Sequence, residues 1–61
     1  MDWNLAKRIL DKRYRNFINK NARYMVFRIN ILYERYEKGE RTEYLYNDIM
    51  DLDYEDIDYQ V

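Results

Sequence analysis

Residues 22–38 have the sequence ARYMVFRINILYERYEK, and this apolar central segment decides the fold because its apolar residues fit two different periods. A helical period collects one stripe: Ala22, Met25, Val26, Ile29, Leu32, Tyr33 and Tyr36. A strand period instead alternates Met25, Phe27, Ile29, Ile31 and Tyr33, with Gly39 in a hairpin turn before Thr42, Tyr44 and Tyr46. The length of the segment and its lack of turn residues favour a helix, with the β-hairpin as the alternative.

A helical central segment has a second apolar stripe, Tyr24, Phe27 and Ile31, on its opposite side. A helix that is apolar on two sides is usually central in its bundle or lies in an oligomer interface. A chain of 61 residues also buries only about 60% of the surface that it exposes when unfolded. Because the chain has no Cys or His to hold a disulfide or an imidazole-bound metal, a homodimer or an obligate complex is expected.

The segments on either side are also predicted to be helical. In residues 1–20, Asp2 is the candidate N-cap of a helix from Trp3 to about Asn19, which Asn19-Lys20-Asn21 ends. The apolar stripe of that helix contains Trp3, Ala6, Leu10, Tyr14 and Phe17, widened by Ile9 and Ile18. In residues 42–61, Thr42 is the candidate N-cap. Leu45, Ile49 and Leu52 supply the apolar stripe of this last helix.

The predicted fold is therefore one all-α domain over residues 1–61, either a helical hairpin or a small three-helix bundle, and dimeric. Its parts are a basic amphipathic helix (1–20), the apolar central segment (22–38) and an acidic, tyrosine-rich C-terminal segment (42–61). The alternative is an α+β fold with a helix, a β-hairpin and the acidic segment. No membrane span or export signal is recognisable, so a cytoplasmic location is expected.

Catalysis and metal binding are not expected from this composition. The chain has no Ser, Cys or His, and Thr42 is its one small hydroxyl side chain. Residues 51–56, DLDYED, have oxygen ligands at the first, third and fifth positions of a calcium loop. Asp56 occupies the sixth position, where that loop needs glycine, and the twelfth position would fall beyond Val61. The predicted protein is neither an enzyme nor a metal or cofactor binder.

Charge is distributed unevenly along the chain. Residues 1–28 contain eight basic and two acidic side chains, whereas residues 29–61 contain three basic and ten acidic ones. No basic residue follows Arg41. Such a difference between the two halves of a chain indicates an electrostatic interaction surface.

The acidic segment is the leading candidate site, because helical spacing would align four of its carboxylates. The face consists of Asp48, Asp51, Glu55 and Asp58, with Asp53, Asp56, Tyr54 and Tyr59 beside it. In charge alone it resembles phage-encoded counter-defence proteins that imitate DNA. The predicted function is a small inhibitor or adaptor, of a phage counter-defence or host-takeover type, that binds the basic groove of a nucleic-acid-handling protein.

The basic segment supports an alternative function. Arg8, Lys12 and Arg15, with Arg23 if the helix continues, form a stripe that fits backbone phosphates. The alternative is therefore a dimeric nucleic-acid-binding regulator in which the acidic segment competes for the basic helix. A third interpretation pairs the basic and acidic halves between subunits, in an assembly that high salt dissociates.

Overall fold

The computed structural model describes residues 1–59, and for residues 53–59 it describes the backbone alone. Over this range the chain forms three helices: α1 (Trp3–Asn19), α2 (Arg23–Glu37) and α3 (Glu43–Tyr59). The all-α prediction is confirmed, with boundaries close to the predicted ones. The α+β alternative is wrong, because no strand occurs within residues 1–59 and the central segment is helical.

The helices run up, down and up. Trp3, at the start of α1, packs at a tilt against Tyr36 near the end of α2 and edge-on against Tyr46 near the start of α3, with ring centroids 6.4 and 5.4 Å apart. Farther along α1, Tyr14 packs edge-on against Tyr33, at 5.7 Å between centroids. This order of contacts makes α2 antiparallel to both neighbours and makes α1 and α3 parallel to each other.

The predicted N-caps start α1 and α3. Asp2 Oδ1 accepts a hydrogen bond from the Leu5 amide at 3.1 Å, and Thr42 Oγ1 accepts one from the Leu45 amide at 3.2 Å. Each cap satisfies an amide that the first turn of a helix leaves without an intrahelical partner.

Both interhelical turns follow the same pattern. After α1, the Ala22 and Asn21 amides bond the Phe17 and Ile18 carbonyls at 2.9 and 3.0 Å, and Asn21 has a positive φ of 57°. After α2, the Glu40 and Gly39 amides bond the Arg35 and Tyr36 carbonyls in the same way, with φ 96° at Gly39. These are Schellman motifs, in which Gly or Asn adopts the left-handed conformation that ends a helix.

One apolar core joins the three helices. Its buried members are Ala6, Ile9, Leu10, Phe17, Met25, Ile29, Leu32, Leu45, Ile49 and Leu52. The predicted stripe of α3, Leu45, Ile49 and Leu52, is completely buried. In α2 it is the predicted main stripe that faces this core, because Met25, Ile29 and Leu32 lie on one side at helical spacing.

Three features of side-chain burial were not fixed by the sequence pattern. Ile18 does not widen the core stripe of α1, since it is 49% exposed beside the turn that ends the helix. Arg13 is buried instead, at 8% exposure, because it lies between Leu10 and Phe17 on the core side of α1. The second stripe of α2 also remains exposed, so α2 is not enclosed on both sides within one chain.

Candidate binding surfaces

The acidic face lies on one unbroken helix. The backbone of α3 is helical from Glu43 to Tyr59, so positions 48, 51, 55 and 58 share one side of it. Asp51 is exposed there. The side chains of the remaining predicted members lie outside the described residues: Asp53, Tyr54, Glu55, Asp56, Asp58 and Tyr59. The backbone thus aligns the positions, and the described carboxylates of this face are those of Asp48 and Asp51.

Asp48 takes part in an ion-pair network with α2. Arg35 Nη1 lies 3.2 Å from Asp48 Oδ2, and the same guanidinium holds Glu40 through Nη2 to Oε2 at 2.6 Å and Nε to Oε1 at 2.9 Å. The hydrogen bonds from Arg35 and Thr42 lower the pKa of Glu40 to about 2. Asp48 stays half exposed, so its carboxylate both pairs with Arg35 and remains accessible on the acidic face.

The basic face of α1 consists of Arg8, Lys12 and Arg15, all exposed at spacings of four and three residues. Arg23 does not continue it along the same helix. The positive φ of Asn21 ends α1, and Arg23 is the first residue of α2. The basic face is therefore a stripe of three residues on α1, with Arg23 exposed on a separate helix.

A shallow groove of about 350 Å³ borders this basic face between α1 and α3. Leu5, Ile9 and Met50 form its apolar wall, while Arg8 and Lys12 supply its cationic rim. The combination of apolar and cationic groups is suited to a ligand that carries both negative charges and an apolar surface. The sequence alone did not indicate this groove, because Met50 comes from the opposite end of the chain.

Two other charged side chains of α1 form a partly exposed ion pair next to α2. Lys7 Nζ lies 3.0 and 3.1 Å from the two carboxylate oxygens of Asp11, one helical turn away. The Tyr33 hydroxyl of α2 also donates to Asp11, and mainly this bond holds the pKa of the Asp11 carboxyl below its usual value. Lys7 and Asp11 therefore neutralise each other beside the basic face.

A cationic and aromatic cluster closes the end of the bundle where α1 begins. The Arg41 guanidinium carbon lies 3.9 Å from the Tyr36 ring centroid and 5.3 Å from that of Trp3. Arg41 Nη1 also donates to the Tyr36 carbonyl at 3.0 Å, which occupies an acceptor at the end of α2. The last basic residue of the chain thus holds the turn between α2 and α3 against α1.

None of the three helices, over the residues described, combines the length and apolarity needed to cross a membrane. Among these residues no cluster of three or more acidic, His or Cys side chains has a metal-binding arrangement. The chain matches no protein-family model, and it has no significant similarity to a curated protein or to a solved structure.

Proposed function

We propose that this chain is a non-enzymatic binding protein, an inhibitor or adaptor, whose α3 engages the basic groove of a nucleic-acid-handling protein. The observation that supports this proposal is the unbroken helix from Glu43 to Tyr59, in which seven residues are acidic and none is basic. Its positions 48, 51, 55 and 58 follow one another at intervals of three or four residues, about one turn or 5 Å along the helix axis. This spacing is comparable to that of backbone phosphates, so a basic groove shaped for phosphates would meet a similar row of negative charges on α3.

The electrostatics of α3 also favour a cationic partner. Acidic residues near the C-terminus of a helix oppose its macrodipole, and the last turn of α3 contains no basic residue. A positively charged surface docked there would offset both the side-chain charges and the helix dipole. Association of this kind is fast at low salt and slows as the salt concentration increases.

The test compares two double variants that change net charge equally. Asp51→Asn with Glu55→Gln neutralises two positions of the acidic face, whereas Glu34→Gln with Glu43→Gln neutralises two carboxylates elsewhere. Each variant changes the formal net charge from −1 to +1. Glu34 is the exposed partner of Lys38, and Glu43 lies in the first turn of α3, about two turns before position 51.

The parent and both variants serve as baits in crosslinking capture from a nuclease-treated lysate, with quantitative mass spectrometry. We expect the parent and the Glu34/Glu43 variant to retain the same basic nucleic-acid-binding proteins, and the Asp51/Glu55 variant to lose them. Equal retention by all three baits, or a retained set without basic proteins, would contradict the proposal. Truncation before Asp48 is unsuitable as a test, because it removes the buried Ile49 and Leu52.

A second candidate function is binding of a nucleic-acid backbone by α1. It is favoured by the simultaneous exposure of Arg8, Lys12 and Arg15 on one side of the helix. Three phosphate contacts give salt-sensitive binding without base specificity, with a slope of log affinity against log salt of about −3. Here the acidic α3 would act as an internal competitor for the basic helix.

Fluorescence anisotropy of labelled duplex and single-stranded DNA, measured from low to physiological salt, tests this second function. Replacing Arg8, Lys12 and Arg15 with Gln should abolish binding, whereas Arg23→Gln should reduce it less. The Asp51/Glu55 variant should bind DNA more tightly if α3 competes with it. Absence of binding by the parent chain at low salt would rule this function out and leave the acidic face as the working surface.

A further inference from the structure

The outer side of α2 presents large apolar side chains to solvent. Tyr24, Phe27 and Ile31 are 70%, 64% and 45% exposed, and they lie opposite the buried Met25 and Ile29. Their spacing of three and four residues gives a straight stripe along the helix, which Glu34 and Lys38 continue. Apolar residues at this spacing are typical of the contact side of paired helices.

We propose that this stripe is a homodimer interface in which α2 packs antiparallel against α2 of a second copy. The residues that border the stripe support this choice of occupant. One border consists of Arg23, Asn30 and Glu37, which follow one another at seven-residue intervals and are all exposed. The other border carries Arg28 and Arg35. The first border therefore has a basic and an acidic end, whereas the second is basic.

Charge selects the antiparallel orientation. When two identical helices pack antiparallel, each border meets the same border of its partner in reverse order. Arg23 then faces Glu37 of the second copy, and the two-fold axis creates this attraction twice. In a parallel pair the first border would meet the second, so Arg23 would face Arg28 and the contact would be repulsive.

The basic second border meets itself in the antiparallel pair, and Asp48 lies close to it. Arg28, Arg35 and Asp48 line one depression between α2 and α3, and Asp48 is paired with Arg35 at 3.2 Å. The Arg28 guanidinium carbon also lies 6.0 Å from the Tyr24 ring centroid, in a cation–π contact. The apolar stripe and its first border lie entirely on α2, so the proposal does not depend on the proposed function of α3.

Sedimentation equilibrium of the full chain over a concentration series tests the interface. We expect the parent to reach a dimer as concentration increases and Phe27→Lys to remain a monomer. Phe27 is 64% exposed, so circular dichroism should show unchanged helix content. Tyr44→Lys is the matched control, since Tyr44 is 80% exposed on α3, and it should dimerise like the parent.

A charge exchange tests the orientation. Arg23→Glu should weaken the dimer about tenfold, because it replaces two attractive contacts with two repulsive ones. Adding Glu37→Arg should restore the parent affinity. A monomeric parent at millimolar concentration, or a Phe27→Lys dimer as stable as the parent, would overturn the interface. Failure of the double variant to regain affinity would overturn the antiparallel arrangement.

Discussion

The hydroxyl of Tyr33 on α2 donates a hydrogen bond to the carboxylate of Asp11 on α1. Burial of the hydroxyl, together with its bond to Asp11, raises the pKa of Tyr33. The same bond, with a smaller contribution from Lys7, lowers the pKa of Asp11. The two helices are therefore joined by a contact whose strength depends on a protonated phenol and an ionised carboxyl.

The first prediction concerns stability at high pH. Because the folded-state pKa of Tyr33 is raised, its contribution is complete below about pH 10, the usual tyrosine value, and is lost as pH rises further. Tyr33→Phe should lower the free energy of unfolding by about 1 kcal/mol at neutral pH. It should also make the decline above pH 10 shallower than in the parent. Urea unfolding followed by circular dichroism measures both effects.

Tyr44→Phe is the control for this prediction at neutral pH. It removes a phenolic hydroxyl from a ring that is 80% exposed, so the free energy of unfolding should change by less than about 0.5 kcal/mol. If Tyr33→Phe and the parent lost stability in parallel above pH 10, the bond to Asp11 would have no role in the alkaline transition.

The second prediction concerns stability at low pH. Glu40, with a pKa of about 2, gives a contribution that is complete above its unfolded value of about 4.3. That contribution is lost as pH falls between these two values. Arg35→Met removes the main cause of the shift, so the variant should be less stable at neutral pH and should lose less stability over this acid range. Thermal unfolding at a series of pH values checks this.

Lys38→Met is the control for the acid range. It breaks an ion pair with Glu34 whose side chains are 74% and 65% exposed, so water screens most of its effect. We expect a smaller decrease in melting temperature than for Arg35→Met. A larger decrease for Lys38→Met than for Arg35→Met would contradict the prediction that the Arg35 network stabilises the end of α2.

The third prediction concerns the core. Ile49 is completely buried, and Ile49→Ala should cost about 2–5 kcal/mol, which is enough to unfold much of so small a domain. Ile18→Ala removes the same atoms from a side chain that is 49% exposed and should cost less than about 1 kcal/mol. The two variants are compared by urea unfolding. Similar losses at both positions would contradict the assignment of Ile18 to the surface.

The fourth prediction concerns the two turns. Gly39→Ala should destabilise the bundle by about 1–2 kcal/mol, because a φ of 96° is strained for a residue with a Cβ. Space is not the cause, since an added Cβ would meet nothing within 4 Å. Asn21→Gly should be neutral or slightly stabilising, since Asn21 already has a positive φ. Thermal unfolding of both variants measures these effects. A stable Gly39→Ala variant together with a destabilised Asn21→Gly variant would contradict this account of the turns.

Much of this fold could be predicted from the sequence because its signals are local. Asp2 and Thr42 mark helix starts, and Asn21 lies at the break that ends α1. The central segment was ambiguous because Met25 and Ile29 fit both a helical and a strand period. Only packing against both neighbouring helices decides between them.

The surfaces were harder to predict than the helices. Arg13 lies three residues after Leu10 and four before Phe17, and this spacing indicates a position on the core side of α1. The positive charge of Arg13 nevertheless favours an exposed side chain. The Arg35 contacts with Glu40 and Asp48 depend on how α2 meets α3, which no local pattern specifies. The same limit applies to the groove that Met50 forms with α1.

The parallel direction of α1 and α3 determines how the molecule should be tethered for measurement. Trp3 packs against Tyr46, so the start of α1, two residues after Met1, lies beside the start of α3, while the far end of α3 lies about 25 Å away along its axis. Immobilisation through Met1 therefore presents the acidic end outward to a partner in solution. Attachment through the C-terminal side would place that end against the support, so the two geometries should give different apparent association rates for one and the same ligand.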